Sequence, residues 1–385
     1  MSAKEKLKIG IYVETARGDK LTGIGRHVTS LVNAIARIEP DNNILLYYPG
    51  TRTNSRLEGN IASAPNVKFR PVWVPASLPS EHPRLWWNWF LPAAIRIDRL
   101  DVFHGPNHYL PRTSIPKVVT IHDLAYFKME VHGGSRDELL RRSTRFAMES
   151  ADAVIALSKN TQEDIASLGI DRSKVRVIYG GGNVVAESQI QYARRDEMQN
   201  RLGIRGKYIL CVGAIQPRKN IPFLLKAFAQ WKASKPVSHQ LVIAGPKENA
   251  APDVLESIQS LGLEKDVLVT GYVADWELPL LYKGADIFVL PSRYEGFTLV
   301  TIEAMAYGTP VIASDTSSIS EGTGDAAVLV PLNDVETLHA SLERLSSDRD
   351  FRGQLIAKGF ERSGLFTWDE CAKKTLDVYQ EILSR

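Results

Sequence analysis

The sequence predicts an α/β protein built twice over, as two doubly wound domains that each carry a parallel sheet covered by helices on both faces. Three observations predict it. Short continuous apolar runs, without polar alternation, take turns with amphipathic stretches of helical spacing, the pattern of strands buried on both faces. The alternation fills both halves of the chain and is interrupted once by a long polar stretch. The 385 residues are long for one domain and comfortable for two.

In order, "KIGIYVE" reads as a strand and "GIGRHVTSLVNAIARI" as a helix. "NILLYYP", "VKFRPVW", "DVFHGPN" and "KVVTIHD" read as strands, a helix is expected around 135–151, and "ADAVIALS" is a strand. "SKNTQEDIASLG" is a helix and "VRVIYGG" a strand. The second half repeats the scheme with strands "YILCVGAI", "HQLVIAG", "VLVTGYV", "DIFVLPS" and "PVIAS". Between and after them come helices "NIPFLLKAFAQWKAS", "APDVLESIQSLG", "WELPLLYKGA", "LVTIEAMAYG" and "DVETLHASLERLSSD". The polar stretch around 184–206 separates a first domain, 1–185, from a second, 206–366, and a last segment, 367–385, follows. Two doubly wound domains imply a cleft between them.

Composition is that of a soluble globular chain, 44% hydrophobic and 24% charged. Residues 1–185 hold 25 Lys and Arg against 18 Asp and Glu, and the rest hold 22 against 26. That asymmetry is too mild for nucleic-acid binding by bulk charge. It fits a first half facing an anionic surface or substrate, and equally ordinary drift between domains. Cys211 and Cys371 stand alone, so neither a disulfide framework nor a thiolate metal site is expected. The start has no apolar core of a signal peptide, and no 18-residue apolar run occurs. A cytoplasmic protein is the expectation.

Ligands of such sheets bind beyond the carboxyl ends of the strands. After the first strand, Gly23 and Gly25 stand before a helix, where open backbone and helix-start N–H groups favour an anion; a simple tight turn is the other reading. After "YILCVG", Arg218 and Lys219 form a cation pair that would clamp a diphosphate, or a solvated basic loop. His122 and Asp123 end another strand, where a histidine is structural or functional. "PSRYEGFTLVTIEAMAYGTPVIAS" is the most informative stretch. A strand delivers the chain to a loop with Glu295; a helix starting near Leu299 presents N–H groups to a phosphate, and carries Glu303 about one turn in, roughly 6 Å along the axis. Both carboxylates are acceptors. Their spacing suits an elongated ligand: Glu303 takes the hydroxyls of a ribose, and Glu295 reaches a sugar beyond the diphosphate.

This segment resembles the E-x7-E signature of the family 4 retaining glycosyltransferases, which have the GT-B fold. "TGIGRH", "DVFHGP", "TIHDL", "VGAIQPRKN", "TGYV", "LYKGADIFVLPSRYEGF", "EAMAYGTPVIAS" and "FTWDECAKKTLDVYQEIL" read like that family too, so the resemblance covers most of the chain. It implies transfer of a hexose from a UDP- or GDP-sugar to a glycan or lipid-linked acceptor in polysaccharide biosynthesis, with retention, no metal and no other cofactor. It implies an acceptor-binding first domain, a donor-binding second domain, and a final helix that returns to the first. By the resemblance, Gly23, Gly25, Arg218, Lys219 and the amides of Thr298 and Leu299 hold the diphosphate. Glu303 binds the ribose, the backbone of Gly271, Tyr272 and Val273 meets the base, and Glu295 with Gly296 and Phe297 orients the hexose. His122 lies near that sugar. Two positions depart from the family: Ala214 replaces an arginine, for which Arg218 is a substitute, and Thr298 replaces the last glycine of "EGFG", restricting the backbone but adding a hydroxyl for a phosphate.

Other classes are a glycoside hydrolase, which needs no phosphate-binding helix start; a GT-B nucleotide-sugar epimerase; and a non-catalytic nucleotide-sugar-binding module. Segment 84–100, with three tryptophans and flanking arginines, is read as a core helix, with an interfacial helix that touches a membrane as the second reading.

Overall fold

A computed structural model describes residues 6–50, 60–73, 85–131, 133–234 and 237–385. Two compact units emerge. The first comprises 1–128, 133–181 and 367–385, and the second 129–132 and 182–366.

In the first unit seven parallel strands run β1 (Lys8–Tyr12), β2 (Asn43–Pro49), β3 (Val67–Val72), β4 (Val102–Gly105), β5 (Lys117–Ile121), β6 (Ala153–Ala156) and β7 (Val175–Val177). They lie in the order β3-β2-β1-β4-β5-β6-β7, with Ile9 opposite both Ile44 and Val102. The order reverses direction between β1 and β4. Ile9 and Ile11 pack on one face with Val28, Leu31 and Ile35 of the Gly23–Ile38 helix. The Trp368–Leu383 helix lies on that same face: Cys371, Ala372, Leu376 and Tyr379 are part of this core. Thr367 caps the helix by accepting from Glu370 N at 3.2 Å. The opposite face holds Phe103, Val119, Leu91 and Ile95.

Segment 85–99 divides its tryptophans. Residue 84 lies outside the described residues. Trp86 is buried, donating Nε1–H to the Val72 carbonyl at 3.1 Å, whereas Trp89 is 71% exposed. A π-helical turn at Trp86–Phe90 leads into the Leu91–Asp98 helix.

The second unit is a six-stranded parallel sheet of β8 (Tyr208–Val212), β9 (Gln240–Ala244), β10 (Val267–Gly271), β11 (Ile287–Leu290), β12 (Val311–Ser314) and β13 (Ala327–Val330), in the order β10-β9-β8-β11-β12-β13. Its reversal point is between β8 and β11. Trp231, Phe228 and Leu224 of the Ile221–Ser234 helix pack on one face, and Tyr282, Ala304 and Met305 on the other. The polar stretch around 184–206 is not a free linker. It belongs to this unit, forms a helix at Arg195–Leu202, and buries Ile190, Met198, Leu202 and Ile204 against the sheet. Its apolar residues are too sparse to show a period, which is why it reads as a linker.

Candidate functional site: a buried carboxylate, two cations and a helix start

A cluster of charged and polar side chains lies where β8 and β11 release the chain. After β8, a turn of 3-10 helix at Pro217–Lys219 ends on Asn220, which adopts the left-handed conformation at φ 52°, one that asparagine tolerates. This turn aims Arg218 and Lys219 at the loop that follows β11. The loop backbone is tied back by Arg293 N donating to the Arg218 carbonyl at 2.8 Å. Beneath the turn, Gly245 ends close to β8: a Cβ there would stand 2.1 Å from the Gly213 carbonyl oxygen, so only glycine permits the approach.

Glu295 is at the centre and is only 7% exposed. One carboxylate oxygen accepts from Lys219 Nζ and from Ser292 Oγ, both at 2.6 Å, and the other from Arg218 Nη1 at 2.8 Å. Burial alone would raise its pKa; Lys219 and Arg218 outweigh that and hold the carboxyl down at about 2. The backbone is fixed as well, with Glu295 N donating to Ser317 Oγ at 2.9 Å and Ser318 Oγ donating to the Glu295 carbonyl at 2.8 Å. Ser317 holds φ 48°, an uncommon conformation for a non-glycine residue and one found at sites where geometry matters. Gln216 extends the network, accepting from Arg218 Nε at 2.9 Å and donating to Glu248 at 2.6 Å.

Glu303 sits in the Leu299–Ala306 helix and is 6% exposed. One oxygen accepts from Asn183 N at 3.3 Å and Asn183 Nδ2 at 3.2 Å, the other from Tyr282 OH at 3.0 Å. No side chain caps this helix start. Leu299 is its first residue, so its amide belongs to the turn that an α-helix leaves without internal partners.

Gly296, Phe297, Thr298 and Leu299 form the connection between the two glutamates. The φ of Thr298, −99°, needs no glycine, and its hydroxyl pairs with Thr301 Oγ1 at 2.7 Å in a buried position. Val273 is 4% exposed with its side chain in the core, so only its backbone is available to a ligand.

Gly23, Gly25 and His122 belong to the first unit. The glycines do not precede the helix but lie in its first turn, and Gly25 N is already engaged by the Thr22 cap at 3.1 Å. Gly25 is there for close approach: a Cβ would lie 2.3 Å from the Thr15 carbonyl oxygen. Gly23 has open space around it. His122, half-buried, donates through Nε2 to the Pro106 carbonyl at 2.8 Å. Burial lowers its pKa, opposed by that bond and by Asp123. Asp123 accepts from Ala125 N at 3.0 Å and shapes the turn. His122 packs edge-on against His27, with ring centroids 4.7 Å apart.

Sequence reading missed Ser292, Ser317, Gln216, Asn183 and Tyr282. Ser292 and Gln216 neighbour residues that stood out, but a serine or glutamine carries no pattern. Asn183 and Tyr282 reach Glu303 only through the fold. Among the described residues no three His, Cys, Asp or Glu gather as a metal ion would require, and no helix is long and apolar enough to cross a membrane.

The arrangement offers two cations and a helix start to an anion, with a carboxylate on either side for hydroxyl groups. Known proteins resemble the chain as a whole. Residues 21–184 match the model of Glycosyltransferase Family 4, and 194–362 that of Glycosyl transferases group 1. The chain is 28% identical to the O-antigen chain mannosyltransferase B of Escherichia coli, over 94% of this chain and 96% of that one. Sucrose-phosphate synthase from Thermosynechococcus elongatus superposes with a TM-score of 0.76 at 22% identity, covering 98% of this chain and all of that one. An Anabaena protein solved in complex with UDP and glucose superposes with a TM-score of 0.73 at 17% identity, over 97% and 99% of the two chains. The chain belongs to the family 4 glycosyltransferases, and the protein is a glycosyltransferase of the GT-B fold.

Proposed function

We propose that this glycosyltransferase moves a hexose from a UDP- or GDP-sugar to a glycan or lipid-linked acceptor in polysaccharide synthesis, with retention of anomeric configuration and without a metal. The observation that carries the reading is the buried Glu295 between Lys219 and Arg218, placed at the β8/β11 reversal point beside an uncapped helix start. In this reading Arg218, Lys219 and the amides of Thr298 and Leu299 take the diphosphate and stabilise the charge that grows on the leaving phosphate. Glu303 takes the ribose, the backbone near Val273 meets the base, and Glu295, with Gly296 and Phe297, orients the hexose. A carboxyl held at about 2 is a weak base at neutral pH, so Glu295 serves as an acceptor of hydroxyl hydrogen bonds. The departing phosphate oxygen takes the acceptor proton. The mannosyltransferase name of the Escherichia coli relative favours mannose as the hexose.

The first unit supplies the acceptor side in this reading. At the carboxyl end of β1, Tyr12 donates to Glu14 and meets Trp87 edge-on at 4.7 Å, and Trp87 stacks on Tyr109 at 5.4 Å. The partly exposed Trp87 and Tyr109, beside the carboxylate of Glu14, suit a sugar ring and its hydroxyls. His122 braces the loop that carries Tyr109 through its bond to Pro106. The exposed Trp89 and Ile97, near Arg96 and Arg99, support a peripheral contact with a membrane that bears a lipid-linked acceptor.

The test incubates the full chain with radiolabelled UDP- and GDP-hexoses, with and without polysaccharide or lipid-linked acceptors. Nucleotide release that requires an acceptor, with an α-donor giving an α-product by NMR, is the expected result. An isomerised donor, or no turnover of any donor that binds, overturns the reading.

A further inference from the structure

Asn183 stands at the entry to the second unit. It belongs to neither sheet. It is the second residue of the segment that begins the main part of the second unit at Gly182, yet it reaches the Glu303 carboxylate twice. Both its backbone N–H and its side-chain Nδ2 donate to the same oxygen, while Tyr282 OH donates to the other. Two residues on, Val185 N donates to Tyr307 OH at 3.0 Å, and the Tyr307 ring stacks on Tyr282 at 5.7 Å with an interplanar angle of 14°. Gly182 closes the other end: its N–H donates to the Phe366 carbonyl at 3.2 Å, and a Cβ there would stand 3.2 Å from Ile302 of the Glu303 helix. The segment is therefore stitched on both sides of Asn183, and Asn183 and Tyr282 between them grip both carboxylate oxygens.

A glutamate side chain has three rotatable torsions, and a carboxylate gripped at one oxygen still swings. Gripped at both, it keeps one orientation, and a bound diol is not charged for ordering it. We propose that Asn183 is a positioning residue that, together with Tyr282, aims the Glu303 carboxylate at the ribose hydroxyls of the donor. The inference rests on the reading that Glu303 binds ribose, and it adds that the strand-free connection entering the second unit determines nucleotide recognition.

A selectivity ratio tests this better than an affinity. Binding of GDP, UDP and their 2′,3′-dideoxy counterparts to the full chain is measured by calorimetry. The wild-type chain prefers the ribonucleotide, and Glu303→Gln largely abolishes the preference. Asn183→Ala lowers the preference by about fivefold, the effect of one hydrogen bond, with dideoxynucleotide binding unchanged. Asn183→Ser, which restores a short donor, recovers part of it. Tyr282→Phe, of the same shape as the wild type, lowers the ratio without perturbing the core, and decides alone if Asn183→Ala does not fold. A ribose preference intact in Asn183→Ala and Tyr282→Phe, or an equal loss for both nucleotide types, overturns the positioning role. A wild-type chain indifferent to the ribose hydroxyls overturns the ribose reading of Glu303 itself, and the inference with it.

Discussion

Interior histidines are neutral in the first unit, while the interior of the second holds a carboxylate between two cations. His27 and His104 are 2% and 0% exposed. Burial pushes His27 well below its ordinary pKa and takes His104 to about 3. His104 is matched with neutral partners, Tyr379 OH at 2.6 Å and Thr120 Oγ1 at 2.8 Å. His27 Nδ1, Thr15 Oγ1 and Asn107 Oδ1 are buried with no hydrogen-bond partner among the described residues. Glu295, equally enclosed, keeps its charge because Lys219 and Arg218 stand against it. Burial without a counter-charge removes ionisation; burial with one preserves it. In the proposed function the ionised, ordered cluster of the second unit is what meets the charged diphosphate.

The strongest way to break this comparison is to leave Glu295 underpaired. Lys219→Ala is expected to destabilise the second unit by about 3–5 kcal/mol, as removing one partner of a buried ion pair does. It also lowers turnover at saturating donor. Chemical denaturation and initial rates read the two effects. A fully stable variant would mean that Lys219 is not holding the carboxylate.

Glu295→Gln is the complementary change. Transfer falls on the order of 10²-fold because the hexose is misplaced. Affinity for a bare nucleotide diphosphate rises, since Arg218 and Lys219 no longer share their charge with a carboxylate. Weaker nucleotide binding in this variant would end the division between a sugar-side and a phosphate-side role.

Acid separates the units more gently. A histidine with a folded pKa below its unfolded value, about 6.5, binds its proton more readily when unfolded, so stability falls as pH drops below that value. For His104 the fall continues to about 3. Each fully buried histidine contributes a slope of up to about 1.4 kcal/mol per pH unit. Glu295 has the opposite sense, depressed to about 2, so its contribution is complete above the ordinary glutamate value of about 4.3 and is lost only as pH falls from there toward 2. Between pH 5 and 6.5 the first unit therefore loosens first. Peptide-level hydrogen exchange at pH 5 and pH 7 reads the difference, and equal loss of protection in both units would contradict it.

The smallest expected effect sharpens how the second unit accepts Thr298. A Cβ on Gly322 would lie 2.6 Å from the Thr298 methyl. Gly322→Ala should cost about 1–3 kcal/mol by overpacking, and less when combined with Thr298→Ser, which deletes that methyl. Melting of the single and double variants checks the coupling.

Both sheets were legible in the sequence because doubly buried strands are apolar throughout and their helices are periodic. Lys219, Arg218 and Glu295 were legible as residues at strand ends, and the structure brings those three into one cluster. What could not be read was the pairing. Seventy-six positions separate Lys219 from Glu295, and nothing local says that one neutralises the other. The glycines were legible only as a turn: a glycine at a helix start reads the same whether it admits a ligand or a neighbouring carbonyl, and Gly25 admits the Thr15 carbonyl. The hydroxyl of Thr298 could be read as a ligand contact, but its pairing with Thr301, one turn on, could not.

The Trp368–Leu383 helix completes the core of the first unit although 185 residues of the second, 182–366, are threaded before it. On the ribosome, the order of synthesis and the order of assembly therefore differ. The second unit has all its own strands and helices once residue 366 has emerged, while in the first the face of Ile9, Ile11 and Leu31 is covered only when the Trp368–Leu383 helix follows. A nascent chain stalled after residue 366 should present a protease-resistant second unit and a first unit still open to chaperones, so the part made first is finished last.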